Sequence, residues 1–258
     1  MCIAVFQWNP EAKNPLLLAA NRDEHFERPT RSMHWWPRAN VLAGRDLKAD
    51  GAWLGVTRSG RFALITNIRN PALRKARAPS RGEIVRRYLE DTQSAREFIG
   101  ALAEIANQYE GFNLLCGSLN ANERALWFLN SSEPAPRLLH AGLYALSNAS
   151  LDTPWPKITR IKAGFRHALA ERDPNAQNER LFRLLGNTTQ VADRDLPQTG
   201  VPLDWERELS SISVRRRGYG TRASTVMRIG NGQAKVTEIN HSEGLTAFER
   251  SDFAFDLQ

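Results

Sequence analysis

Covalent chemistry could begin at the cysteine in position 2. A small residue after Met1 favours removal of the initiator methionine, and removal would leave Cys2 with a thiol and a free α-amine. The pKa of an α-amine is about 7.7–8.0, so the amine can take the proton of its own thiol near neutrality. This pattern predicts an N-terminal nucleophile. The alternative interpretation is that Cys2 is a small buried residue at the start of an edge strand.

A second group of reactive side chains is the tetrapeptide Asn21-Arg22-Asp23-Glu24, at the end of an apolar run. Adjacent residues of a strand face opposite ways, so Arg22 and Glu24 share one face, and Asn21 and Asp23 the other. If the chain turns back after Trp8, this strand end lies beside the N-terminal thiol. Asp23 would then bind the α-amine, and Arg22 would lower the thiol pKa. The alternative is a charged turn after a strand.

Strands that would hold these groups are predicted by alternating and apolar runs. A first hairpin is expected from Cys2–Trp8 and Leu16–Asn21, and a second from Trp53–Thr57 and Arg61–Asn67. Asn231-Gly232 predicts a type I′ turn between two late strands.

Helices are predicted between the groups of strands. Capping boxes at Ser80–Glu83 and Ser94–Glu97 indicate two of them. Asp152-Thr153-Pro154 is expected to start a third, and the leucines around Leu181 mark a fourth. Hairpins outnumber βαβ patterns, which favours antiparallel sheets with helices in outer layers.

Several short motifs, taken together, resemble the NRDE family, which is the family of the transport and Golgi organization proteins. The likeness runs in order from residue 1 to about residue 240. The matching segments are Met1-Cys2-Ile3, Asn21–Glu24, Arg28-Pro29-Thr30, Gly44-Arg45-Asp46, Gly51–Gly55, Thr66–Arg69, Leu146-Ser147-Asn148, Pro154–Lys157, Tyr219–Arg222 and Ser224-Thr225-Val226.

This resemblance implies the N-terminal nucleophile hydrolase fold, a four-layer αββα sandwich of antiparallel sheets, as a single domain over residues 1–258. It also implies a site like that of the choloylglycine and penicillin V acylases, although those separate their Arg and Asp by two residues where here they adjoin. By resemblance, the site residues are Cys2 as nucleophile, Arg22 and Asp23 beside it, Asn148 in the oxyanion hole, Asn67 as the other Asn, and Arg222 as the late Arg.

The leading functional hypothesis is hydrolysis of an amide C–N bond, or a related acyl transfer, by Cys2. The expected partner is a small molecule with a carboxylate, phosphate or amide group, and no cofactor is required. The family is also associated with haem and acyl-CoA, so the alternative is a non-catalytic haem or acyl-CoA binding and trafficking protein. His25 and His34 are then candidate haem ligands, against the simpler interpretation of surface or hydrogen-bonded histidines.

Composition excludes other classes. The 258 residues are 41% hydrophobic, which is ordinary for a globular protein. Two cysteines without a Cys-x-x-Cys pair exclude a disulfide framework, and no metal site is expected. The net charge is +7, but the sequence contains no nucleic-acid-binding motif, so nucleic acid is not an expected partner. No apolar run approaches the ~18 residues of a membrane span, and no secretory signal is visible, so we expect a cytoplasmic protein.

Overall fold

The computed structural model describes residues 2–37, 40–120, 123–243 and 248–258. Its strands form two antiparallel sheets of seven strands each. Met1 lies outside the described residues, so its predicted removal stays a prediction.

The first sheet contains both ends of the chain. In spatial order its strands are β10 (Gly142–Leu146), β1 (Cys2–Trp8), β2 (Leu16–His25), β12 (Tyr219–Gly230), β13 (Gln233–His241) and β14 (Phe248–Asp256), and the short β11 (Arg215–Arg216) also pairs with β12. The predicted first hairpin is confirmed, with Cys2 opposite Arg22. The Asn231-Gly232 turn between β12 and β13 is confirmed too, since both residues have a positive φ.

The second sheet follows the chain without crossovers. Its strands in order are β3 (Thr30–Trp35), β4 (Val41–Asp46), β5 (Leu54–Thr57), β6 (Arg61–Asn67), β7 (Phe112–Leu119), β8 (Arg124–Asn130) and β9 (Glu133–Leu138). The predicted hairpin of β5 and β6 is confirmed.

Helices cover the outer faces of both sheets. Those that contact the second sheet are α1 (Arg81–Glu90) and α2 (Ala95–Ile105), and those that contact the first are α3 (Pro156–Leu169) and α4 (Pro174–Leu185); α5 (Leu203–Glu208) is short. The capping box at Ser94 is confirmed, whereas Ser80 precedes α1 without a side-chain cap bond. α3 begins at Pro156 rather than at residue 154, because the chain before it is still extended.

Alternation along β1 separates the two cores of the protein. Ala4 and Phe6 pack in the core that includes the second sheet, whereas Ile3 and Val5 pack against α3 and α4. Cys2 shares the face of Ala4 and Phe6, so its side chain points between the sheets. The expected αββα order of layers is therefore confirmed. Among the described residues, no helix has the length and apolar character that crossing a membrane requires.

Candidate active site

A cavity of about 210 Å³ lies at the end of the two sheets where β1 begins. Its walls come from the starts of β1 and α1, the end of β6, and the middle of β12. Five of the six residues predicted for the site line it: Cys2, Arg22, Asp23, Asn67 and Arg222. Residues that are distant in sequence therefore meet at the N-terminal cysteine.

Cys2 and Arg22 are directly opposite each other in the antiparallel register of β1 and β2. Side chains in such a pair have Cβ atoms about 4.5–5.5 Å apart, so the guanidinium lies beside the thiol. Burial raises the pKa of the Cys2 thiol, and the Asp23 carboxylate raises it further, whereas Arg22 and the Asp23 backbone N–H lower it. The cation thus offsets part of the desolvation that burial imposes on the thiolate.

Arg22 and Asn21, neighbours in the tetrapeptide, lie on opposite faces of β2, as the alternation predicts. Arg22 lies on the cavity side, with its Nη2 3.6 Å from a carboxylate oxygen of Glu24. Asn21 faces the helices instead and donates to the carbonyls of Leu185 (2.8 Å) and Ile212 (3.0 Å). Asn21 therefore connects the end of α4 and the segment at Ile212 to the first sheet.

Asp23 is buried beneath the start of the chain. Its Oδ1 accepts a hydrogen bond of 2.7 Å from the hydroxyl of Thr221 on β12. Burial raises the pKa of the Asp23 carboxyl, while the Thr221 bond and the charges of Lys157 and Arg22 lower it. The pKa of Asp23 stays above its usual value because burial has a larger effect than these neighbours, which offset only part of it.

The two asparagines occupy different positions. The described lining of the cavity includes Asn67 but not Asn148. Asn148 lies behind Asn67, and its Nδ2 donates to the Asn67 backbone carbonyl at 2.9 Å. Within the described residues no hydrogen bond engages the Asn67 side-chain amide, so that amide can donate into the cavity. The roles that the resemblance gives to Asn67 and Asn148 as partners of a substrate carbonyl stay predictions.

Arg222 projects from β12 at a bulge between Thr221 and Ala223. Its Nη1 donates to the carbonyls of Arg28 (2.5 Å) and His25 (3.2 Å). Burial and the nearby Arg22 both lower the pKa of Arg222. The two guanidinium groups therefore lie close together on the wall of the cavity that Cys2 lines.

The two histidines considered as haem ligands lie apart. His25, at the end of β2, lines a second cavity of about 400 Å³ and packs edge-on against Tyr219. His34 lies on β3 with its Nδ1 2.8 Å from the Ser32 carbonyl. In the described chain, neither cavity has His34 on its wall.

The second cavity adjoins the first, because Glu24, Arg28, Asn67 and Arg81 line both. Its wall also includes Trp205, whose ring packs edge-on against Tyr219 at 5.1 Å. Aromatic side chains therefore line the cavity next to the one that contains Cys2.

Sequence reasoning missed Lys157 as a site residue. It lies in the first turn of α3, is 2% exposed, and its Nζ is 3.4 Å from Oδ1 of Asn148. Burial and the charge of Arg69 lower the pKa of Lys157 to about 7, while Asp23 and Cys2 act in the opposite direction. In the sequence, Lys157 is indicated by its place in Pro154–Lys157, one of the segments that resemble the family.

Solved structures with similar folds include two hydrolases. The Caenorhabditis elegans ortholog of N-acylethanolamine-hydrolyzing acid amidase is 11% identical, with a TM-score of 0.48 over 88% of this chain and 92% of that one. The C2A mutant of the conjugated bile acid hydrolase from Clostridium perfringens is 10% identical, with a TM-score of 0.43 over 100% of this chain and 98% of that one.

Similarity in sequence is greater. The Transport and Golgi organization protein 2 homolog of Bos taurus is 33% identical over the full length of both chains, and that of Homo sapiens is 31% identical over the full length of both. The sequence model described as Transport and Golgi organisation 2 matches residues 1–242. The family resemblance is thereby confirmed: the chain belongs to the Transport and Golgi organisation 2 family.

Proposed function

We propose that the chain, once Met1 has been removed, is a cysteine N-terminal nucleophile enzyme that hydrolyses an amide C–N bond of a small molecule or transfers its acyl group. One observation carries the proposal. The first strand presents the buried thiol of Cys2 to a cavity, directly opposite Arg22, with the unengaged amide of Asn67 on the same wall.

The proposed reaction starts when the α-amine of Cys2 takes the proton of its own thiol. Sγ then attacks the carbonyl carbon of the substrate, and the π electrons of that bond move to oxygen. The C–N bond breaks as the leaving nitrogen takes the proton from the α-ammonium, which leaves a thioester on Cys2. Water, deprotonated by the same amine, attacks the thioester, and the C–S bond breaks to release the acid and restore the thiol.

Each neighbouring group has a part in this scheme. The Asn67 amide donates to the oxyanion, and one such donor contributes about 3–4 kcal/mol to the transition state. Asp23 accepts from the α-ammonium, while Arg22 and Arg222 favour the thiolate. Asn148 acts through the carbonyl of Asn67, which it holds by a hydrogen bond.

The cavity walls favour an anionic substrate. Arg28 and Arg81 line both cavities. Both already have carboxylate partners, Asp46 at 2.6 Å from Arg28 and Glu110 at 3.2 Å from Arg81. The described hydrogen bonds of Arg222 go to carbonyl and hydroxyl oxygens, and its guanidinium lies 5.9 Å from the Phe26 ring centre. No described carboxylate is within salt-bridge distance of it, which leaves its charge available for a carboxylate or phosphate.

The test is a panel of N-acyl amino acids, each of which carries a carboxylate and releases a primary amine that can be measured. We expect release by the wild type, none by Cys2→Ala, and a 10²–10³-fold slower rate for Asn67→Ala. Asn178→Ala, on α4 away from the cavity, is the matched control and should leave the rate unchanged. Release that survives Cys2→Ala would refute the proposal.

A second candidate function is binding and trafficking of haem or an acyl-CoA without turnover. It is favoured by the volume of the second cavity, about 400 Å³, and by its mixture of arginines with Trp205 and Tyr219. His25 is the one described histidine on that wall, so it would be the ligand to haem iron. A haem titration followed in the Soret band should then change on His25→Ala; the same spectrum in both proteins would exclude this ligand.

A further inference from the structure

Lys157 is a buried cation without a carboxylate partner in the described part of the chain. Its ammonium group has one hydrogen bond there, the long contact of 3.4 Å to Oδ1 of Asn148. An ammonium group away from water is costly unless it is paired, and such groups are frequent at functional sites. The packing of α3 alone therefore does not explain why this lysine is buried.

Hydrogen bonds connect Lys157 to the N-terminal cysteine. Oδ1 of Asn148 accepts from Lys157 and also from the hydroxyl of Ser147, at 3.0 Å. The same Ser147 hydroxyl lies 2.9 Å from the carbonyl of Cys2, and with its single proton it donates to one of these two oxygens at a time. Because the Lys157 ammonium can only donate, the atom facing it is the Asn148 oxygen, and this fixes the amide with its nitrogen toward the Asn67 carbonyl.

The charged groups around Lys157 come from four other elements. Arg69, after β6, repels the ammonium, whereas Asp23 on β2, Cys2 on β1 and Glu206 on α5 attract it. Trp155 lies between the cations, with its ring 5.8 Å from the Lys157 nitrogen and 4.5 Å from the Arg69 guanidinium carbon. The charge of Lys157 therefore acts directly on the two groups that the proposed reaction uses.

We propose that Lys157 is a positioning residue for the Cys2 site, which orients the Asn148 amide behind Asn67 and favours the thiolate of Cys2 by its positive charge. The inference deepens the proposed function, but its test needs no substrate. The effect of Lys157 on the thiol can be measured even in a protein that hydrolyses no amide, so this proposal and the proposed function can fail separately.

The experiment is alkylation by iodoacetamide between pH 5.5 and 9.5, followed by the mass of the tryptic peptide that ends at Lys13. We expect Lys157→Met to slow the reaction of Cys2 at pH 7 by about three- to tenfold. The difference should shrink as the pH rises, because a pKa of about 7 leaves Lys157 uncharged at higher pH in the wild type as well. Lys162→Met is the matched control: it lies on the same helix but pairs with Asp152 at 2.8 Å, and its profile should equal that of the wild type.

Cys116 reports whether a variant stays folded, because it is fully buried and should remain unlabelled throughout. Lys157→Gln provides a second uncharged variant if the Met variant exposes Cys116. Rates of Cys2 that are equal in the wild type and the uncharged variant would overturn the proposal. A slowing by the same factor at every pH would overturn it too, since a packing defect and not a charge would then be the cause.

Discussion

Replacing Arg69 by Met removes the partner of Glu206 from a buried ion pair. The two side chains are 1% and 6% exposed, and Nη1 of Arg69 lies 3.2 Å from Oε2 of Glu206. In the described chain, neither this oxygen nor any nitrogen of the guanidinium has a hydrogen-bond partner. The ion pair thus depends on charge attraction alone, and it holds α5 against the loop after β6.

The expected magnitudes follow from that burial. Removing one partner of a buried ion pair costs about 3–5 kcal/mol, whereas replacing both by apolar groups costs much less. Oε1 of Glu206 also accepts from the backbone N–H of Thr199 at 2.7 Å, and losing this acceptor costs about 1–3 kcal/mol. We therefore expect about 4 kcal/mol for Arg69→Met, somewhat more for Glu206→Met, and only about 1–3 kcal/mol for the double variant.

Urea unfolding followed by tryptophan fluorescence measures these free energies. Arg216→Met is the control, because its partner Asp204 is 2.8 Å away but 55% exposed, and such surface pairs contribute about 1 kcal/mol or less. The reasoning would be refuted if the double variant lost as much stability as the two single variants combined. A loss below about 1 kcal/mol for Arg69→Met would refute it as well.

Three further substitutions have defined outcomes. Burial raises the pKa of the Glu238 carboxyl from its usual 4.5, so its ionisation costs stability as the pH rises through this range. The melting temperature of Glu238→Gln should therefore be higher than that of the wild type at pH 7, and the difference should disappear below about pH 4. A higher melting temperature at every pH would contradict this prediction. A Cβ at Gly51 would lie 2.4 Å from the backbone of Gly82, so Gly51→Ala should lower the free energy of unfolding by about 1–3 kcal/mol. Gly100→Ala, on a helix with nothing within 4 Å, should raise it by about 0.5–1 kcal/mol, and the reverse order in urea would contradict both predictions.

The sequence was sufficient for the N-terminal hairpin and for the meeting of Cys2 with Arg22. Both depend on local rules, because the alternation of buried residues along β1 and β2 restricts the register, and the register fixes which side chains are opposite. Strand β9 could not be predicted in this way. All six of its residues are exposed, and two are prolines, so no alternation of apolar residues marks it.

The sequence predicts the site residues that lie on strands. It does not predict those whose position depends on packing between segments that are distant in sequence. Asn67 ends a predicted strand, and its place on the cavity wall follows. The burial of Lys157 results from the docking of α3 on the first sheet, and a lysine in the first turn of a helix usually indicates an exposed position. The placement of Asn148 behind Asn67 likewise depends on a contact between segments about eighty residues apart.

The central claim is that the α-amine of Cys2 activates its own thiol. The most direct test compares the chain with and without Met1, the former prepared in the presence of a methionine aminopeptidase inhibitor and both verified by intact mass. Iodoacetamide should label Cys2 at pH 7 at least about tenfold faster when Met1 is absent. Equal rates for the two forms would contradict it.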